Sequence, residues 1–140
     1  MSDIGLILER IGQKLVTEVA PRLEGDYVGG HAAMSGLLSV MAGEAWDSAA
    51  DRLFAEIGEL RSLLRQAAMG AEIPESPSLK VSDLTTERNA LAGQLIALQE
   101  QIETREDEPA KLLNAQIWLY YMKTAQARMP SPPQFPDAEA

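Results

Sequence analysis

The only imidazole in the chain is His31, and a lone histidine serves as a general base when a carboxylate orients it. No Asp or Glu stands three or four residues to either side, and the nearest acid is Asp26, so a capping or surface role suits His31 better. Glu18, Glu44 and Glu87 carry the oxygen ligands a hard cation takes and fall on three different predicted helices. The paired Glu-x-x-His motifs of a di-metal bundle site are absent, however, and one histidine cannot supply them. Gly25-Asp26-Tyr27-Val28-Gly29-Gly30 imitates a phosphate loop without its Lys-Ser/Thr ending or a preceding strand. Neither Gly-x-Ser-x-Gly nor Ser-x-x-Lys occurs, and with no cysteine there is no thiolate nucleophile, disulfide or Cys-type metal site. The expectation is a protein without a catalytic constellation and without a metal or cofactor.

Side chains suited to contact are concentrated near the C-terminus: Trp118, Tyr120, Tyr121, Met122 and Met129. Such aromatic and polarizable groups line ligand pockets and protein interfaces. Residues 118, 120 and 121 point in different directions around a helix, so at least one must face outward or meet another chain. An alternative groups Trp118 and Tyr121 with Met41 around a pocket for a small apolar or acyl-type ligand.

These residues are positioned by helices. Ile4, Ile7, Leu8, Ile11, Leu15, Val19 and Leu23 recur at steps of three and four, which predicts an amphipathic helix over 3–23, ended or kinked by Pro21. A turn at Gly25 and Asp26 leads to a second helix over 27–45, rich in small residues. Gly29, Gly30, Gly36 and Gly43 each cost up to about 1 kcal/mol there, so close packing by a neighbouring helix must offset them. Asp47 or Ser48 is placed to cap a third helix with the stripe Ala50, Leu53, Ile57, Leu60, Leu64 and Ala67, ended by Gly70. On this pattern Arg52, Glu56, Glu59 and Arg61 lie away from the stripe, on the solvent side.

Residues 70–82, with Gly70, Pro74 and Pro77, read as a loop. Leu84, Leu91 and Leu98 with Leu95 and Ile102 predict a coiled-coil-like fourth helix, whose seam opens to solvent at Arg88. Pro109 starts a fifth, over 109–128, with Leu112, Ala115, Leu119, Met122, Ala125 and Met129 on one face and Leu113, Ile117, Tyr120 and Thr124 on another. Apolar almost all round, it belongs at the centre of a bundle or beneath a second subunit.

A formal net charge of −9, with no basic cluster beyond Arg61 and Arg65, argues against nucleic acid and anionic lipid as partners. No apolar run is long enough to span a membrane, and Met1-Ser2-Asp3 does not open a signal peptide. The cysteine-free composition suits a cytoplasmic location.

The stretch Leu8 to Leu64 resembles a bacterial family of small helical proteins of unknown function, often encoded near phosphotransferase-like kinases and acyl-CoA dehydrogenases. The resemblance rests on Glu18-Val19-Ala20-Pro21-Arg22-Leu23-Glu24-Gly25, the aromatic and His31 region, the small-residue helix and Glu44. It implies a metabolic accessory role and carries over no site residue.

The sequence thus predicts an all-α, mainly up-and-down bundle of about five helices, with one domain over 1–129 and a flexible Pro-rich tail over 130–140. The function expected is that of a non-enzymatic interaction or accessory protein, homodimeric through its C-terminal helices.

Overall fold

A computed structural model describes residues 3–23, 27–132 and 135. The expected turn at Gly25 and Asp26 and most of the tail beyond Pro132 lie outside the described residues. The α-helices among them are α1 (Ile4–Lys14), α2 (Tyr27–Gln66), α3 (Val81–Ile102) and α4 (Glu108–Ala127), and the described residues hold no strand. None of these helices is long and apolar enough to cross a membrane.

Four helices replace the expected five because the second and third are one. Between Gly43 and Ala50 no residue breaks a helix, and Ser48 caps nothing: its Oγ donates back to the Glu44 carbonyl, 3.0 Å away, as a serine inside a helix does. The first helix is shorter than expected. Asp3 caps it by accepting from the Leu6 amide, α-helical bonding stops at Lys14, and a π-turn (Leu15–Val19) and a 3₁₀ turn (Ala20–Leu23) carry the chain through Pro21.

The chain forms two compact units that divide within α2. The first comprises residues 1–48 and 130–140. Here α1 and the first half of α2 run antiparallel across a seam of glycines. A Cβ on Gly5 would lie 3.2 Å from the Gly43 carbonyl oxygen, and one on Gly36 would lie 2.7 Å from that of Gly12. The backbones touch because nothing larger than hydrogen stands between them, which explains how the small-residue helix tolerates its glycines. Ser131 joins this unit, its amide and hydroxyl both donating to the Glu44 carboxylate.

The second unit comprises residues 49–129 and holds the apolar core: Ile57, Leu60 and Leu64 of α2, Leu84, Leu91, Leu95, Leu98 and Ile102 of α3, and Ala110, Ile117 and Tyr120 of α4. Its connectivity is not up-and-down. Arg61 of α2 bonds Glu87 of α3, and residues 66–69 lie beside 98–102, so α2 and α3 run parallel. Glu59 meets Lys123 and Arg52 meets Ala127, so α4 runs antiparallel to α2. Parallel neighbours need a long return, and the segment 67–80 provides it.

That return is pinned at two places. Ala68, at φ 55°, closes α2 in the left-handed conformation, with Met69 N–H donating to the Leu64 carbonyl and Ala68 N–H to that of Arg65; the expected terminator Gly70 stands two residues later. Midway, the Glu87 carboxylate accepts from Arg61 Nε at 2.9 Å, Arg61 Nη2 at 2.6 Å and the Ser76 amide at 2.7 Å. Arg61 Nη2 also donates to the Ile73 and Pro74 carbonyls. Arg61 therefore holds the return segment and is no solvent-facing charge.

Candidate functional site

In α4 the sequence supplies two apolar faces to a helix that packs on one side only. Asp107 caps the helix by accepting from the Ala110 amide, and Pro109 sits in its first turn. Arg105, hydrogen bonded to Asp107, holds that carboxyl below its ordinary range, so the cap is charged at neutral pH.

The inward face is Ile117 and Tyr120, buried, with Leu113, Tyr121 and Thr124 half-buried. Burial and the nearby Glu56 carboxylate push the Tyr120 phenol up to about 12. The outward face is the other expected stripe. Leu112, Leu119 and Met122 are 63%, 57% and 61% exposed, and Ala115 between them is exposed as well. Their steps of three and four are those of a coiled-coil seam.

Of the aromatic residues, Trp118 is more than half exposed and packs edge-on against Tyr121, ring centroids 5.8 Å apart. The Tyr121 hydroxyl donates to Gln99 Oε1 of α3 at 3.0 Å. Tyr120, Tyr121, Trp118 and Met122 thus run from core to surface around one helix. Met41 is half-buried on the part of α2 that belongs to the first unit.

Beside the stripe, α2 and α4 leave an open cleft of about 470 Å³ lined by Ser62, Leu63, Gln116, Leu119 and Lys123 among others. The bases nearest the stripe already have acidic partners: Lys123 reaches Glu59 at 2.6 Å and Lys111 reaches Glu108 at 3.5 Å. Covering the stripe would strand no lone charge. A second cleft, about 460 Å³, opens where Phe54, Ile57 and Gly58 face Leu79 and Leu84.

Of the candidates for metal or acid–base chemistry, Glu87 is committed to Arg61 in the second unit, and Glu44 accepts from Ser131 in the first, where Glu18 also lies. His31 is exposed with its ring edge-on to Tyr27. Among the described residues no three acidic or imidazole groups are gathered as metal ligands would be.

Sequence reasoning missed the buried charges. Glu56, expected in solvent, is 7% exposed and grips Arg128 through two bonds, Nε to Oε1 at 3.0 Å and Nη2 to Oε2 at 2.5 Å. Arg88, expected to open the α3 seam to water, instead turns to the same carboxylate, its buried Nε 3.5 Å from Glu56 Oε2. Glu56 adjoins Ile57 of the stripe, and the basic Arg128 just past α4 was the one available sign of a partner.

The chain matches no protein-family profile, no curated protein and no solved structure.

Proposed function

We propose that this protein is a non-enzymatic interaction or accessory protein that associates with a second copy of itself through the outward face of α4. One observation carries the reading: Leu112, Leu119 and Met122, spaced as a coiled-coil seam, stand exposed on a helix whose opposite face is buried. Trp118 and Met129, also more than half exposed, extend the apolar face, and aromatic residues and methionine are the types that protein interfaces favour. The neighbouring cleft lined by Leu63 and Leu119 offers a hole for a partner's side chain, as knobs-into-holes packing requires.

The test is the molar mass in solution of the wild type and of Leu119→Glu/Met122→Glu. A carboxylate on the stripe disfavours burial without touching the core, so association weakens while helicity stays. A double variant with the mass of the wild type would refute the reading. The metabolic context implied by the family resemblance is part of this proposal and specifies no partner.

A small apolar or acyl-type ligand is the second reading. The observation that favours it is the cleft at Phe54, Gly58 and Leu79, within the size range of ligand sites and mostly apolar. Fluorescent fatty-acid displacement, lost in Gly58→Phe, would support this reading over the first.

A further inference from the structure

In the first unit the only buried residues among those described are Gly12, Gly29, Gly36 and Gly43. Every described aliphatic side chain of that unit retains exposure, including the stripe of α1. Helical geometry places Ile4, Ile7 and Ile11 within about 60° of arc, next to the glycine seam and not upon it. The seam brings backbones together but removes little apolar surface from water. A helix of eleven residues is marginal by itself, and most helical stability comes from burying an apolar face.

We propose that this face of α1 is a second self-association surface, covered by the same face of another copy in a two-fold, antiparallel arrangement. Two observations select another copy as the occupant. The first is apolar exposure: Ile4, Ile7 and Ile11, with Val28 and Trp46 on the adjoining flank of α2, are five large apolar side chains each about half in water, the composition of the centre of a homodimer interface.

The second is charge. Asp3, Arg10 and Lys14 border the stripe on one side, an acid at one end and two bases toward the other, with Asp3 and Lys14 eleven residues or three helical turns apart. When α1 pairs antiparallel with itself, Ile4 and Ile11 exchange places, Ile7 falls beside the axis, and each Asp3 falls between Arg10 and Lys14 of the other copy. Among the described residues of its own chain, Lys14 makes a loose contact with Glu18, at 4.0 Å and exposed. A self-paired face must be its own complement, and this one is. This surface and the α4 surface are separate places at which another copy docks.

The test separates the two surfaces. In Leu119→Glu/Met122→Glu, which disables α4, light scattering is expected to show a dimer, and adding Ile7→Glu/Ile11→Glu is expected to give a monomer with helical circular dichroism retained. The cysteine-free chain allows a direct check: under mild oxidation Ile7→Cys is expected to form a covalent dimer, at least tenfold faster than Gln13→Cys on the polar side of α1. A helical α4 variant that is already monomeric would overturn the proposal. So would equal cross-linking of the two cysteines, or binding of the wild type to phosphatidylcholine–phosphatidylglycerol vesicles that Ile7→Glu abolishes. If the α4 variant keeps the wild-type mass and Ile7→Cys still cross-links, the α4 reading fails and the α1 surface stands.

Discussion

Gly12 and Gly36 face each other so closely that a Cβ on Gly12 would stand 2.4 Å from the Gly36 carbonyl oxygen, with the Val40 side chain only slightly farther. Real Cβ atoms do not approach backbone that closely, so the seam must part to admit one. Gly12→Ala is expected to loosen the α1–α2 hairpin, read as faster amide exchange over residues 4–14 with exchange over the α3 core unchanged.

Gly58 and Gly93 lie in helix interiors where a Cβ would meet nothing within 4 Å. Gly58→Ala and Gly93→Ala are each expected to stabilise the protein by about 0.5–1 kcal/mol, through lower entropy of the unfolded chain and better helix propensity. Urea unfolding checks this. The contrast with Gly12 separates glycines required by close approach from glycines that are not.

The Glu87–Arg61 pair closes the return segment over the bundle, with Glu87 7% exposed. Removing one partner strands the other, so Glu87→Ala is expected to cost about 3–5 kcal/mol. Arg61→Met/Glu87→Leu together should cost less than the two single changes added, because no lone charge remains. A double-mutant cycle in urea measures the coupling.

The Tyr120 phenol rises from 10.0 to about 12 in the folded state, because its charged form would be buried near Glu56. With the folded value above the unfolded one, its contribution to stability is fully present below pH 10 and is lost as the pH climbs toward 12. Absorbance at alkaline pH should show its ionisation coinciding with loss of helix, and Tyr120→Phe should make the alkaline fall in stability shallower.

The helices and their buried stripes were legible because aliphatic spacing directly reflects which side of a helix faces the core. Both faces of α4 could be read from residues 112–129 before their surroundings were known. The joint between the expected second and third helices was misread because Ser48 has the chemistry of a cap, and only its bond to the Glu44 carbonyl shows otherwise. The parallel course of α2 and α3 left one sign, the length of the segment after Gln66, which fits a return as well as a boundary. Glu56 and Glu87 were out of reach for another reason: their arginine partners are distant in sequence, and a charge reads as solvent-facing until its partner is found.

A second copy covering the outward face of α4 sets the mass of the protein in solution. Light scattering on the full chain at micromolar concentration tests it. The expected mass is at least twice the 15.2 kDa of one chain, falling in Leu119→Glu/Met122→Glu with helicity preserved. A wild type that elutes as a single 15.2 kDa species, fully helical across that range, would contradict it.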